Sequence, residues 1–228
     1  MGNAQGSSLG PYQPDQSRII GRGGFGEVMI GRHKRTKQEV AMKKCVIKED
    51  AHGSAAMSEI KNFQHITPHK HIVRMLDFYF FDSSFWIVME YCDRGDLEKY
   101  MRKYRPGLEP QLKIMHQCAS AVYHLHSLDT PLIHRDIKPS NILFKREGAS
   151  DVLKLTDFGI SKVVDDQTNH TVAGTTHFMP PEMIVGKGYN HTVDIYALGL
   201  VYLAMINFNP NHDGMCPLSG QYHLFYSF

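Results

Sequence analysis

The chain has 228 residues, with 25 basic and 23 acidic side chains and a formal net charge of +2. That length can bury a sizeable core, and the near balance of charge excludes an extended nucleic-acid-binding face. No stretch reaches the ~20 consecutive apolar residues of a membrane-spanning helix, and the scattered cysteines at 45, 92, 118 and 216 read as reduced, cytosolic thiols, with no disulfide framework.

Residues 1–14 are rich in Gly, Ser, Gln and Pro and are expected to form a flexible leader. Met1-Gly2 meets the glycine requirement of N-myristoylation, but Gly6 stands where that signal calls for Ser or Thr. A membrane contact is therefore expected only if Gly2 is acylated, and a single chain would bind marginally.

Gly21-Arg22-Gly23-Gly24-Phe25-Gly26-Glu27-Val28 is a G-x-G-x-x-G-x-V run. Glycines let backbone N–H groups approach phosphates where a Cβ would clash. The same spacing occurs in dinucleotide-binding folds, where the glycines open a helix. Here they lead into Val28-Met29-Ile30, a basic turn over 32–37, and Glu39-Val40-Ala41-Met42-Lys43. That order predicts a β-hairpin over phosphates. Residues two apart in a strand share a face, so Ala41 and Lys43 face the same way, a small residue for a flat base and a cation for phosphates.

The segment 54–65 predicts a helix with Met57, Ile60 and Phe63 in one stripe, and Glu59 beside it as its only acid. His65, His69 and His71 surround Pro68 and are expected on a surface loop. Residues 72–76 and 85–89 predict strands separated by a turn at Asp82-Ser83-Ser84. Residues 111–126 predict a helix with Leu112, Met115, Ala119, Val122, Leu125 and His126 along one side.

The helix delivers the chain to His134-Arg135-Asp136-Ile137-Lys138-Pro139-Ser140-Asn141. A short strand pair, 142–144 with 152–155, then leads to Asp157-Phe158-Gly159. These residue types suit γ-phosphoryl transfer, which needs a hydroxyl held in line and charge neutralised on the oxygens. Asp136 can orient the hydroxyl and accept its proton, and Lys138 can sit on the γ-phosphate. Asn141 and Asp157 offer the oxygen ligands that Mg²⁺ prefers.

Together these strings resemble the signature set of the eukaryotic protein kinases, serine/threonine type. The resemblance implies an α+β, bilobal protein-kinase-like fold, with a small β-rich N-lobe and a mainly helical C-lobe. It places an N-lobe at about 15–89, a hinge at 90–96 and a partial C-lobe at 97–206. It implies ATP and Mg²⁺ as cofactors and a protein as substrate. Nucleotide contacts carry over onto Gly21, Arg22, Gly23, Gly24, Phe25, Gly26, Val28, Ala41, Lys43 and Asp157. Met89 corresponds to the gatekeeper, the backbone of Glu90 and Cys92 to the adenine contacts, Asp96 to the ribose contact, and Leu143 to the residue under the base. Glu59 corresponds to the helix glutamate that pairs with the lysine, here Lys43 and not Lys44.

Residues 160–182 correspond to the activation segment, ending Pro180-Pro181-Glu182 where the family usually has Ala-Pro-Glu. Gly174-Thr175, together with Lys138, implies serine/threonine substrates. Thr171 and Thr175 are the candidate phosphosites for an upstream kinase, with Thr168 and Thr176 as alternatives, and Arg135 and Lys162 can receive the phosphate. Ser140 gives no indication of an arginine requirement before the target, and Ile160 favours threonine.

Thr192 to Gly199 resembles the family's Asp-x-Trp-Ser-x-Gly helix, with Tyr196 for Trp and Ala197 for Ser. The resemblance implies that Asp194 braces the catalytic loop. The helix is apolar on all sides, which predicts burial. The resemblance covers 16–206, and 207–228 reads as an irregular tail. The helix over 193–206 is therefore expected to be partly exposed, a surface for a partner or chaperone. Two readings follow: a cytoplasmic ATP-dependent protein serine/threonine kinase, or a truncated kinase form of little activity acting as a binding or interfering module.

Overall fold

A computed structural model of the chain describes residues 9–23, 26–46, 57, 60, 61, 63–158, 176–184 and 189–208. These fall into two compact units. The first holds the described residues up to His69, Val73–Cys92 and Phe158. The second holds Lys70–Ile72, Asp93–Asp157 and the described residues from 176 onward. The chain crosses from one to the other after Cys92, within the segment read as a hinge.

The first unit is a five-stranded antiparallel sheet in the order β1-β2-β3-β5-β4. Its strands are β1 (Tyr12–Gly23), β2 (Gly26–His33), β3 (Glu39–Val46), β4 (Met75–Phe81) and β5 (Ser84–Glu90). β2 and β3 form the hairpin expected after the glycines, with Lys37 in the turn at φ 61°. One face of the sheet carries a core of Met29, Val40, Met42, Tyr79, Trp86 and Val88. The opposite face carries Ala41 and Lys43. Lys43 is paired across the sheet with Val28 and Ile87, and Ala41 with Ile30 and Met89.

Two expectations need correction here. β4 begins at Met75, three residues later than the strand read over 72–76. Asp82 and Ser83 both adopt positive φ, 50° and 49°. That is the two-residue turn whose twist suits a hairpin, and it pins Phe81 opposite Ser84. Counting back from that pair, the ladder closes at Met75, and branched Ile72 and Val73 lie outside it. Ile72 instead bridges Leu155 in the second unit.

The second correction concerns the leader. Residues 12–14 are paired with β2, Tyr12 opposite His33 and Pro14 opposite Gly31. Leu9 is buried in the sheet core. Lys34 Nζ donates to the Gly10 carbonyl at 2.8 Å, and Lys34 N donates to the Pro11 carbonyl at 2.7 Å. Gly10 has φ +55° and lies so close to the Tyr79 ring that a Cβ there would overlap it. The polar composition of 1–14 concealed two anchors, Leu9 and Tyr12. Pro14 is tolerated because β1 is an edge strand. Residues 1–8 lie outside the described residues.

Met57, Ile60, Lys61 and 63–65 are helical, in line with the apolar stripe. Ile60 and Phe63 are buried, and the Phe63 ring meets Phe158 edge-on at 4.9 Å. Glu59 lies outside the described residues.

In the second unit, the Leu97–Tyr104 helix is capped by Asp96, whose carboxylate accepts Lys99 N at 2.9 Å. The Leu108–His126 helix buries Ile114, Cys118, Ala121, Val122 and Leu125. Leu112, expected on the inner side, is 49% exposed. Spacings of four, three and one set the buried stripe, which the sequence reading had rotated by about one residue. β6 (Ile142–Glu147) and β7 (Ser150–Leu155) form the expected strand pair, longer than read. The Thr192–Ile206 helix buries Val193, Asp194, Ala197, Leu198, Val201, Ala204 and Met205 and exposes Ile195, Tyr196, Leu203 and Ile206. It is thus open on one side, as expected.

His71, expected on a surface loop, is half-buried. Its Nδ1 donates to the Leu153 carbonyl at 3.1 Å, and its own carbonyl accepts Leu155 N at 2.9 Å. Burial pushes its pKa below the ordinary 6.5; the Leu153 carbonyl opposes this, and Lys70, Lys154 and His116 add to the depression. The unfolded chain therefore binds this proton more readily than the folded chain. The stability from neutral His71 is full above 6.5 and is lost as pH falls toward the depressed value. The thermal midpoint should fall between about pH 7 and pH 5, and less steeply in His71→Asn, whose amide can keep the hydrogen bond. Identical slopes in both proteins would remove His71 from the account.

Candidate functional site

The candidate residues fall into a set on each unit. On the sheet, Ala41 and Lys43 lie side by side because a strand repeats every two residues. Ala41 is buried and Lys43 half-buried. Val28, Met89 and Ile87 border them on the same face. Lys44 points to the opposite face, with its Nζ 5.5 Å above the Trp86 ring. The side-chain carboxylate of Glu90 accepts Arg74 N at 2.9 Å, and Glu90 N donates to the Arg74 carbonyl at 3.0 Å. That pair of bonds fixes the end of β5. Gly21, Arg22 and Gly23 close β1, and Gly26 opens β2. Gly24 and Phe25 lie outside the described residues.

On the second unit, the catalytic-loop string folds around Asp136, which is 8% exposed. Lys138 Nζ is 2.9 Å from Asp136 Oδ2. Asn141 Nδ2 donates to the same oxygen at 3.0 Å and to the Asp136 carbonyl at 2.8 Å. A short turn of 3-10 helix, Pro139–Asn141, brings Asn141 back to Asp136. Thr156 N donates to the Asn141 carbonyl at 3.0 Å, which ties the residue before Asp157 to the loop. His134 is fully buried, with Nε2 2.9 Å from the Thr156 carbonyl. Three of the predicted residues, Asp136, Lys138 and Asn141, are thus in direct contact.

Two residues here have left-handed backbone: Arg135 at φ 68° and Asp157 at φ 63°. Such conformations cost of order 1–3 kcal/mol in a non-glycine residue and persist only where the surroundings enforce them. Asp194 supplies part of that enforcement. Its Oδ1 accepts Arg135 N and its Oδ2 accepts His134 N, both at 2.8 Å. The brace implied by the sequence resemblance is therefore present. The Arg135 guanidinium lies 5.4 Å from the Tyr189 ring centroid.

Asp96, expected at a ribose, caps its helix and pairs with Lys99 Nζ at 2.7 Å. Leu143 bridges Asp96 and is half-buried. His126, expected only as part of the packed side of its helix, has its Nε2 2.8 Å from Asp194 Oδ2. Glu59, Gly159, Lys162, Thr168, Thr171, Gly174 and Thr175 lie outside the described residues.

The donor set fits a hard, oxygen-seeking ion. Asn141 commits Nδ2 to Asp136, which leaves Oδ1 as its ligand atom, and Asp157 adds a carboxylate. Mg²⁺ usually takes only one or two protein oxygens and fills its shell with waters and phosphate. Among the described residues no cluster of three or more His, Cys, Asp or Glu forms a metal cage. The small Ala41 beside Lys43 fits a flat base next to phosphates.

An antiparallel five-stranded sheet bearing a lysine on β3, and a helical unit bearing this loop and an Asp194 brace, define the protein kinase class. Residues 15–216 match the protein kinase domain, and the chain belongs to that family. It is similar to a serine/threonine-protein kinase 4 homolog B of Dictyostelium discoideum, 36% identical over 208 residues, covering 90% of this chain and 18% of that protein. It is similar to the Aurora kinase of Patiria pectinifera, 33% over 193 residues, 82% of this chain and 46% of that protein. It is similar to the human serine/threonine-protein kinase DCLK3, 37% over 202 residues, 86% of this chain and 30% of that protein. The chain thus spans less than half the length of these relatives.

Proposed function

We propose that this chain carries the catalytic machinery of an ATP-dependent protein serine/threonine kinase. The observation that carries the reading is the contact of Asp136 Oδ2 with both Lys138 Nζ and Asn141 Nδ2, at 2.9 and 3.0 Å. An acid meant to orient a hydroxyl must itself be held, and these two donors hold it. Asp136 receives the proton of the substrate Ser or Thr hydroxyl as its oxygen bonds to the γ-phosphorus. The bond from γ-phosphorus to the bridging oxygen breaks, and ADP leaves with that electron pair. Lys138 offsets charge on the γ-phosphate oxygens, and Lys43 offsets charge on the α- and β-phosphates. Mg²⁺, when bound, neutralises the phosphate oxygens, and Asn141 and Asp157 would hold it.

The adenine contacts at Glu90 and Cys92, the ribose contact at Asp96 and the pairing of Glu59 with Lys43 belong to this proposal. So do Thr171 and Thr175 as phosphosites for an upstream kinase, with Arg135 and Lys162 as their receptors. A preference for threonine follows from Ile160. A cytoplasmic location agrees with the buried, reduced thiols of Cys45, Cys92 and Cys118. No helix of the described residues is long and apolar enough to cross a membrane. The exposed Ile195, Leu203 and Ile206 offer a partner or chaperone a surface.

Thermal melting with and without Mg-ATP, followed by radiolabelled transfer to a peptide array, tests the reading. A nucleotide that binds only the folded state raises the midpoint. The expected outcome is a raised midpoint and label on hydroxyl peptides, with threonine preferred. No shift at saturating Mg-ATP, or label confined to tyrosine, would end it.

A further inference from the structure

The turn that joins β2 to β3 carries Arg32, Lys34, Arg35 and Lys37, all of them exposed. Its backbone is fixed from within. His33 Nδ1 accepts Arg35 N at 3.3 Å and Thr36 N at 3.2 Å, and Lys37 N donates to the His33 carbonyl at 2.9 Å. Arg18 adds a cation from the neighbouring β1. Two carboxylates face this group. Glu39 is shared between Arg18 Nη1 at 2.5 Å and Arg32 Nη2 at 3.5 Å, and Asp15 accepts Ser17 N at 3.0 Å. Among the described residues Arg35 and Lys37 make no ion pair. The end of the sheet therefore carries a clear excess of positive charge on a rigid base.

Lys34 links this turn to the start of the described chain. Its Nζ donates to the Gly10 carbonyl at 2.8 Å and its N to the Pro11 carbonyl at 2.7 Å, while Leu9 is buried in the sheet core. The chain before Leu9 thus departs beside the basic turn. Gly2 lies seven residues earlier, which is at most about 25 Å of chain. No basic cluster is near Gly2 in the sequence, but the fold brings one within its reach. A single myristoyl chain binds membranes only marginally, and a basic surface is one of the signals that makes anchoring stable. The exposed side chains of the turn include no aromatic on which a nucleic-acid base could stack.

We propose that the β2–β3 turn contacts an anionic membrane and supplies the electrostatic half of a two-signal anchor, whose other half is an acyl chain on Gly2. Once Met1 is removed, the Gly2 amine attacks the carbonyl of a myristoyl thioester. The amide bond forms, the carbon–sulfur bond breaks, and the thiol leaves with the proton. None of this depends on the kinase reading.

The full chain is produced with and without an N-myristoyltransferase, and mass spectrometry reads the acyl group. Both forms are sedimented with vesicles of phosphatidylcholine alone and of phosphatidylcholine with phosphatidylserine. The acylated chain should bind the serine vesicles about a hundredfold more tightly than the neutral ones, at about fivefold for each uncompensated cation. High salt should erase that difference. Arg35→Gln/Lys37→Gln should lose about thirtyfold on serine vesicles and nothing on neutral ones. Lys34 and Arg32 are left in place because they also hold the fold. Lys103→Gln/Lys113→Gln makes the same change in net charge on the second unit and should bind as the parent does. A Gly2 left bare by the transferase, equal binding to the two vesicles, or equal losses in the two double variants would each overturn the proposal. If the unacylated chain binds polyglutamate as tightly as the acylated chain binds serine vesicles, and Arg35→Gln/Lys37→Gln abolishes it, the surface belongs to an acidic protein and the membrane proposal fails.

Discussion

Purified Lys43→Met and Asp157→Asn proteins should each transfer phosphate more slowly than the parent by on the order of 10²–10³ or more, the cost of losing one preorganised electrostatic contact. Methionine keeps most of the lysine stem and removes only the charge. Lys44 cannot stand in, because it faces the other side of the sheet over Trp86. Asparagine keeps the shape of Asp157 and one oxygen but not the charge a divalent ion needs. It also tolerates φ 63° better than most residues, so the backbone at that position should survive. Both proteins should therefore melt close to the parent. Radiolabelled transfer at the parent rate by either one would refute the site assignment.

A second large effect is expected at Gly26. Its φ of +140° lies where side chains are rarely found, and a Cβ there would collide with the Lys44 carbonyl oxygen. Gly26 pairs with Cys45 at the very start of the β2–β3 ladder, next to the Glu27 and Lys44 pair. Gly26→Ala must push those strands apart where β3 carries Lys43. The φ alone costs about 1–3 kcal/mol. For a chain of this size that lowers the midpoint by about 2–12 °C, and Mg-ATP should protect the variant less. Gly21 provides the contrast, since a Cβ there would make an ordinary contact with Val28 at 3.8 Å. If Gly21→Ala and Gly26→Ala melt alike, the clash is relieved at no cost and the argument fails.

The readable part of this protein was the part whose chemistry is local. Asp136, Lys138 and Asn141 are close in sequence, and a loop of that length returns them to one another. Ala41 and Lys43 were readable for the same reason, since a strand alone puts them on one face. The contact of His126 with Asp194 was not readable, because the two are far apart in the chain and nothing near His126 marks it. The start of β4 was misplaced because apolar, branched residues at 72 and 73 resemble a strand. A two-residue turn several positions downstream decides the register instead. Leu112 was placed inside because a helical stripe can be rotated by one residue with little loss of apolar pattern, and only packing selects between the alternatives.

The match to the protein kinase domain begins at residue 15, yet the core on one face of the sheet is completed by Leu9 and Tyr12. The stretch that matches the family and the stretch that packs into the sheet core therefore have different first residues. A fragment starting at 15 would retain every residue that touches phosphate in this account. It would also lay bare the wall over Met42 and Trp86, the backing of the strand that aims Lys43. For this molecule, where recognisable chemistry starts and where mechanical integrity starts are separate questions, and the second is answered by two side chains that no catalytic motif contains.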